Sequence, residues 1–190
     1  MAHMLDWPMG PGVLLLLHPQ QQFSRSDAIT IPPKKAAILE QDAAFSPVYR
    51  EGEAPVLGKG LLRRVGKLYL MDLCATPLVG WGCPDIVYGD RRGGCFGKIS
   101  LRVVSPLRFV EAYRGKDLPL AAERLIEALM PRLQGIIRRE TLALGKREAM
   151  PAAQLCPLIA QAVIEHSEDD LEDQGLAIEQ MVVEDLFFPD

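Results

Sequence analysis

Long apolar runs are missing from this sequence of 190 residues. A helix that crosses a bilayer needs about 18 or more consecutive apolar residues, and the best apolar run, at residues 13–17, is far shorter. The chain also opens without the charged and apolar regions of a secretory signal. We therefore expect a cytoplasmic protein, with any contact at the inner face of a membrane being peripheral and made through a partner or a surface patch.

An excess of positive charge is missing as well. The chain carries 21 Lys and Arg against 25 Asp and Glu, for a net charge of −4. Binding to duplex nucleic acid usually depends on a basic surface, so we expect no nucleic-acid partner. The 48% share of hydrophobic residues is typical of a folded protein and argues against intrinsic disorder.

Cysteine pairs with metal-ligand spacing are also absent. The four cysteines are Cys74, Cys83, Cys95 and Cys156, and none forms a C-x-x-C pair of the zinc-ribbon kind. The acidic run at residues 168–173 lacks the alternating ligands and central glycine of a calcium loop. We predict no metal and no cofactor. Cys83 and Cys95 flank a glycine-rich region in which we expect turns, so these two thiols are the pair most able to approach each other.

Sequence motifs for catalysis are scarce. The passages at 52–59 and 60–67 miss both the spacing and the hydroxyl of a phosphate-binding P-loop. The glycine-rich passage at 93–97 is better explained as the flexible entry to a hairpin. The nucleophile elbow Gly-x-Ser-x-Gly is absent. His3 lies in a stretch that resembles a cloning remnant, so only His18 and His166 can serve as histidine bases. A surface or capping role is the simpler interpretation of each. We predict that the chain is not an enzyme.

Two alternatives to a non-catalytic role stay open. The first is a cysteine-dependent hydrolase, in which Cys83 or Cys95 would lie in a cleft within reach of His18 or His166. The second is a module that binds a small ligand or a lipid, with Trp81 and the glycine-rich turns lining the mouth of a pocket.

The elements fall into two stretches, strands up to about residue 104 and helices after it, with one last strand. Such an order predicts an α+β fold rather than alternating βαβ units. Residues 1–4 (Met-Ala-His-Met) resemble a cloning remnant, so we expect a single domain over residues 5–190. Strands are predicted at 13–17, 29–31, 36–39, 68–71, 86–88, 96–104 and 176–188, with turns at 52–60 and 80–84.

The clearest local pattern is the strand at 96–104, where apolar and polar residues alternate. Ser105 and Pro106 suit the cap and the first position of a helix, which Gly115 is expected to end in the left-handed conformation. Two long helices are predicted after it, at 118–144 with a kink or break at Pro131, and at 152–174, where Gly175 ends the helix. Apolar residues at helical spacing predict an inner stripe on each: Ala122, Leu125, Ile126, Leu129, Leu133, Ile136 and Ile137 on the first, and Leu155, Ile159, Val163 and Leu171 on the second.

The order of these features resembles the SPFH (band 7) domain of stomatins, prohibitins and flotillins, and most closely its bacterial virion core protein-like branch. The passages that carry the resemblance are 29–39 (ITIPPKKAAIL), 98–110 (KISLRVVSPLRFV), the helix near 125–142, and 171–179 (LEDQGLAIE). They are similar to the family's opening strands, its central strand and short helix, its first long helix, and its closing helix–glycine–strand. Together they span about residues 13–190.

The resemblance implies a curved, mainly antiparallel sheet packed against two to three helices. It also implies a non-catalytic scaffold that oligomerises or recruits membrane-associated protein partners. The chain departs from many members of the family, which carry an N-terminal membrane segment and continue into a long coiled coil.

The final strand is the predicted interaction element. An unpaired strand edge can accept another strand, and the apolar side chains Met181, Val183, Phe187 and Phe188 fall on it. An ordinary core strand is the simpler alternative. We expect self-association, binding of a membrane-associated protein, or both.

Overall fold

The chain has an α+β fold in which most strand pairs are antiparallel. The structure is a computed structural model that describes residues 3–58, 60, 62–146 and 150–189. In these ranges it has thirteen strands and three helices: β1 His3–Leu5, β2 Val13–Leu17, β3 Gln22–Phe23, β4 Asp27–Ile29, β5 Lys35–Gln41, β6 Ala44–Phe45, β7 Tyr49–Arg50, β8 Arg64–Val65, β9 Lys67–Asp72, β10 Val79–Tyr88, β11 Arg91–Val103, α1 Pro106–Tyr113, β12 Leu120–Ala121, α2 Ala122–Gly145, α3 Ala152–Asp173 and β13 Leu176–Phe187. The predicted class is confirmed.

The chain divides into two compact units, each built from separate stretches of sequence. The first unit comprises Met1–Cys74, Val103–Ala122 and Gln174–Leu176, and the second comprises Ala75–Arg102, Glu123–Asp173 and Ala177–Asp190. The single domain over residues 5–190 stays a prediction.

The centre of the first unit is a six-stranded sheet in which β9 lies between β2 and β5. Both pairings of β9 are antiparallel. The apolar runs predicted for these three strands are confirmed, because their side chains are largely buried. The short strands β12, β6 and β7 complete the sheet. One face of it packs on an apolar cluster that consists of Phe23, Ile29, Ile31, Ala37, Leu39, Leu57, Leu68 and Leu70.

The strand predicted at 29–31 lies two residues earlier, at Asp27–Ile29. Ile31 leaves the strand because its N–H donates to the Glu53 carbonyl and its own carbonyl accepts from the Gly52 N–H. The backbone hydrogen bonds of Ile31 are therefore made with a loop rather than with a neighbouring strand. Pro32 and Pro33 follow, and neither has an N–H to offer a sheet.

Helix α1 begins where the serine–proline step predicts, with Pro106 in its first turn. The Ser105 side chain makes no capping hydrogen bond. The predicted left-handed stop at Gly115 is wrong, since the helix ends at Tyr113 and the capping residue Arg114 keeps right-handed helical angles. Gly175 does adopt the left-handed conformation, with φ +74. A Cβ there would lie 2.3 Å from the Ser105 carbonyl oxygen, so only glycine fits.

The second unit contains a three-stranded sheet in the order β10–β11–β13. The turn predicted at 80–84 is wrong, because these residues belong to β10 and pair with β11. The glycine-rich passage at 93–97 is likewise inside β11 rather than at its entry. The reversal between the two strands falls at Gly89, which has φ +60. Gly93 and Gly97, which read as turn signals, let the backbone of β13 approach.

Two long helices supply the rest of the second unit. Helix α2 runs without a break through Pro131, so the proline does not split it. Helix α3 likewise begins before Pro157. The predicted inner stripes are confirmed, because the following side chains are buried: Leu125, Ile126, Leu133 and Ile137 on α2, and Leu155, Ile159, Val163 and Leu171 on α3.

Candidate interaction surface

Strand β13 lies at one edge of the three-stranded sheet in the second unit, within the residues that the structure describes. It is 12 residues long, about twice the length of an ordinary strand. A strand at the edge of a sheet presents backbone N–H and C=O groups that no neighbouring strand satisfies. The length and the position together make β13 the largest pairing edge of this sheet.

Close backbone contact holds β13 against β11. A Cβ on Gly97 would lie 1.8 Å from the Val182 carbonyl oxygen, and a Cβ on Gly93 would lie 1.9 Å from that of Phe187. The two contacts run in opposite directions along the chain, so the strands are antiparallel. The glycines of β11 are therefore required by the approach of β13.

The four residues predicted for interaction divide into two pairs. Met181 and Val183 are buried, at 7% and 6% exposed. Phe187 is 54% exposed, and its ring lies over Gly94 of β11. Phe188 is partly buried, 6.2 Å from the ring of Tyr88. Among these four residues, Phe187 at the end of β13 thus exposes the most apolar surface.

An apolar groove of about 320 Å³ runs along β13 in the second unit. One wall consists of Met181, Val182 and Val183, and the other comes from α3. The α3 wall repeats at helical spacing and consists of Cys156, Pro157, Ala160, Gln161 and Ile164. We call the outer edge of β13, this groove and Phe187 the β13 surface.

Ion pairs neutralise two acidic side chains of β13. Arg102 donates from Nε to Glu179 at 2.8 Å, and Lys98 lies 2.8 Å from Glu184 through its Nζ. Both basic residues occupy polar positions of β11, where polar and apolar residues alternate strictly in the sequence. The alternation predicts that Lys98 and Arg102 share the polar face of the strand, but no pattern in a single strand reveals which strand lies beside it.

Cys83 and Cys95 occupy directly opposed positions on β10 and β11. Both thiols are buried, at 1% and 2% exposed. A hydrogen bond from the Cys95 thiol lowers the pKa of Cys83, and the same bond together with burial raises the pKa of Cys95. The sulfur of Cys83 also lies 3.7 Å from the carbonyl oxygen of Pro84 and 3.8 Å from that of Gln134. The proximity that the sequence suggested for this pair is confirmed, although by strand pairing rather than by a turn.

The two histidines considered as bases, His18 and His166, occupy different units and have different partners. His18 belongs to the first unit and is buried; its Nδ1 accepts from the Gln20 N–H at 3.1 Å and its Nε2 lies 3.3 Å from the Asp6 carbonyl oxygen. His166 belongs to the second unit and its Nε2 lies 3.4 Å from Glu140. Among the contacts described for either ring, none is to a thiol. The hydrolase hypothesis stays a prediction.

Trp81 is buried on β10, and its indole N–H has no partner among the described residues. It lines none of the cavities described in the two units. In the described ranges no group of three or more His, Cys, Asp or Glu residues is placed to hold a metal ion. The ligand-binding hypothesis stays a prediction without a pocket at Trp81.

Two polar networks in the first unit were not found from the sequence. Asp27 is fully buried and accepts from the Ser24 N–H at 2.7 Å and the Ser24 hydroxyl at 2.9 Å, while His3 Nδ1 lies 3.0 Å away. His3 thus contacts the fold although it falls within the stretch interpreted as a cloning remnant. The motif Ser-x-x-Asp at 24–27 is a local signal that a serine and a carboxylate interact.

The second network joins Tyr69, Glu40 and Arg114. The Tyr69 hydroxyl donates to one oxygen of Glu40 at 3.0 Å, and Arg114 donates to the other at 2.7 Å. Burial, followed by the hydrogen bond to Glu40, raises the pKa of Tyr69 to about 12. These residues are far apart in sequence, so only the folded chain brings them together.

No family model matches this chain, and no curated protein matches it significantly. In the described ranges, no helix is both long enough and apolar enough to cross a membrane.

Proposed function

We propose that this chain is a non-catalytic scaffold domain of the SPFH kind, which associates with a second copy of itself through the β13 surface. The observation that carries the proposal is the long outer strand β13, bordered by an apolar groove and ending in the exposed Phe187. Strand addition to such an edge forms main-chain hydrogen bonds and places alternate side chains in adjoining grooves.

The two edges of this sheet differ in a way that favours β13. Strand β10, at the opposite edge, contains Pro84 and a shift in register between Cys83 and Ile86. Prolines and bulges are features that protect an edge from pairing. Strand β13 contains no proline from Leu176 to Phe187. Pairing is therefore expected at β13 rather than at β10.

Charge supports a second copy as the occupant. Two identical strands that pair about a twofold axis bring the same acidic residues close together. The ion pairs with Arg102 and Lys98 neutralise Glu179 and Glu184, which removes most of that repulsion. If Val183 faces Val183 across the axis, Glu179 faces Phe187 and no two acidic residues lie directly opposite each other.

The SPFH resemblance supports the wider role. The order of strand, short helix, long helix, and helix–Gly175–strand follows the order of β11, α1, α2, α3 and β13. The resemblance further implies a curved sheet and a position at or near the inner face of a membrane, reached through a membrane-associated protein partner. Cosedimentation with vesicles, with and without a membrane extract, tests whether lipid alone is sufficient; the proposal expects that it is not.

Sedimentation velocity across a concentration series tests self-association. Wild-type protein is expected to move from monomer to dimer as concentration rises. Phe187→Asp should raise the dissociation constant roughly tenfold or more, because it replaces an apolar contact with a charge that faces Glu179 of the second copy. Lys98→Ala should weaken association less, and more so at low salt, because it exposes the charge of Glu184.

A matched control keeps the experiment specific. Leu107 lies on α1 in the first unit and is 38% exposed, so Leu107→Asp introduces the same charge away from β13 and should leave the dissociation constant unchanged. A wild-type chain that stays monomeric at every concentration would contradict the proposal. An equal effect of Leu107→Asp and Phe187→Asp would also contradict it.

A further inference from the structure

The opposed thiols of Cys83 and Cys95 form a site that the scaffold role does not use. Directly opposed residues of an antiparallel pair have Cα atoms about 4.5–5.5 Å apart, and disulfides join Cα atoms about 4.4–6.8 Å apart. The register therefore places both cysteines within the span of a disulfide without a change in strand pairing. Both are free thiols in the structure.

We propose that Cys83 and Cys95 are a redox-active dithiol, which a small peroxide oxidises reversibly to a disulfide between β10 and β11. Directly opposed residues of an antiparallel pair point to the same face, so the two thiols lie side by side. The guanidinium of Arg138 approaches Cys83, since its Nε donates to the Pro84 carbonyl at 3.2 Å. A nearby cation favours a thiolate, which is the reactive form.

The local chemistry assigns different roles to the two sulfurs. The thiol of Cys95 donates to Cys83, and this bond and the positive charge of Arg138 lower the pKa of Cys83. We assign Cys83 as the nucleophile and Cys95 as the resolving thiol, because Arg138 donates to the carbonyl of Pro84, the residue next to Cys83. Burial of both side chains excludes bulky oxidants, and hydrogen peroxide is close to water in size and carries no charge.

The oxidation proceeds in two balanced steps. The Cys83 sulfur loses its proton and attacks one peroxide oxygen; an S–O bond forms, the O–O bond breaks, and the departing hydroxide takes up a proton to leave as water. The Cys95 sulfur then attacks the Cys83 sulfur; an S–S bond forms, the S–O bond breaks, and the hydroxyl leaves as a second water with the proton of Cys95. Two thiols and one peroxide thus give one disulfide and two waters.

A third thiol offers the main competing product. Cys156 lies in the same unit, and its charge contributes to the raised pKa of Cys95, after the larger effects of Cys83 and burial. It is partly exposed and lines the groove beside β13. Strand register favours Cys83 as the partner of Cys95, whereas exposure favours Cys156 as the first thiol that an oxidant meets.

Peptide mapping after mild oxidation separates these outcomes. The folded protein is treated with one equivalent of hydrogen peroxide, remaining thiols are alkylated in denaturant, and the chain is cut with trypsin. Cleavage after Arg92 and Lys98 places Cys95 alone on the peptide 93–98, and Cys156 falls on another. Cys74 shares the peptide 68–91 with Cys83, so Cys74→Ser is used beside the wild type to assign the linkage.

The expected product links the peptides 68–91 and 93–98 in both proteins, and dithiothreitol reverses it. Because the opposed thiols have a high effective concentration, this disulfide should exceed any other roughly tenfold. In Cys95→Ser, dimedone should trap a sulfenic acid on Cys83. Two outcomes would overturn the proposal. In one, Cys95 is alkylated while Cys74 or Cys156 is oxidised; in the other, the peptide 93–98 is linked to the peptide that carries Cys156. Neither outcome bears on self-association.

Discussion

The two units of this chain differ in a charged group that one buries and in the aromatic groups that the other exposes. The first unit buries the carboxylate of Asp27, which accepts from Ser24. The second has Phe96 43% and Phe187 54% exposed, whereas none of the exposed large apolar side chains described in the first unit is aromatic. A buried polar group stabilises a fold only when it is satisfied, while an exposed aromatic group becomes useful when something covers it. The buried charge of the first unit therefore bears on stability, and the exposed phenylalanines of the second bear on the proposed association.

The largest test of this difference uses one phenylalanine from each unit. Phe23 is fully buried in the apolar cluster of the first unit, so Phe23→Ala should lower the free energy of unfolding by about 3–5 kcal/mol. Phe96→Ala should lower it by less than about 1 kcal/mol, because the side chain is already half in water. Chemical denaturation at a dilute concentration measures both, and similar losses would remove the contrast.

A second test uses glycines of the second unit. Gly97→Ala places a Cβ against the Val182 carbonyl oxygen and should separate β13 from β11, with a loss of about 2–4 kcal/mol. Gly80→Ala on β10 is the matched control, because its Cβ would lie 4.0 Å from the nearest atom. Hydrogen exchange of β13 amides should rise in the first variant alone; unchanged protection there would contradict the close approach.

A third test removes a buried charge from the first unit. Burial alone would raise the pKa of Asp27, but hydrogen bonds from Ser24 and His3 and the charge of Arg63 outweigh it and lower the pKa. The unfolded chain then binds more protons in acid, so the stabilisation is present above about pH 4 and is lost as pH falls through the folded pKa. Asp27→Asn should lower the free energy of unfolding by about 1–3 kcal/mol at neutral pH. It should also make the free energy of unfolding depend less on pH in acid.

The control for Asp27 is an exposed carboxylate. Asp117 lies on the surface of the first unit, and Asp117→Asn should change the free energy of unfolding by less than about 0.5 kcal/mol. If the free energy of unfolding of Asp27→Asn falls as steeply in acid as that of the wild type, other carboxylates cause the acid dependence.

Sequence patterns predicted the elements that depend on local physics. Alternation at 96–104, the Ser105–Pro106 step and the left-handed Gly175 all lie where a single element sets the preference. The error at 93–97 has a non-local cause. Glycine there admits the backbone of β13 or the ring of Phe187, and a contact with a strand more than 80 residues away leaves no local trace. The error at 80–84 arose because glycine and proline lie inside β10, which pairs with β11 through a register shift.

The candidate surface was likewise predicted only in part from the sequence. The apolar character of β13 was visible in the sequence, and so was the polar face of β11. Which of Met181, Val183, Phe187 and Phe188 face solvent depended on the packing of α3 and β11, and the structure leaves Phe187 the most exposed. The opposition of Cys83 and Cys95 depended on the register of a hairpin whose turn was predicted in the wrong place.

The smallest expected effect concerns alkaline pH and the tyrosines of the first unit. Burial is the first cause that raises the pKa of both Tyr69 and Tyr113 to about 12. The unfolded chain loses these protons near pH 10, so stability is complete below that pH and declines as pH rises to about 12. Tyr69→Phe should shrink this decline by on the order of 1 kcal/mol. Unfolding in urea from pH 9 to 12 measures it, and a decline of unchanged size in the variant would place its origin outside the Tyr69–Glu40–Arg114 network.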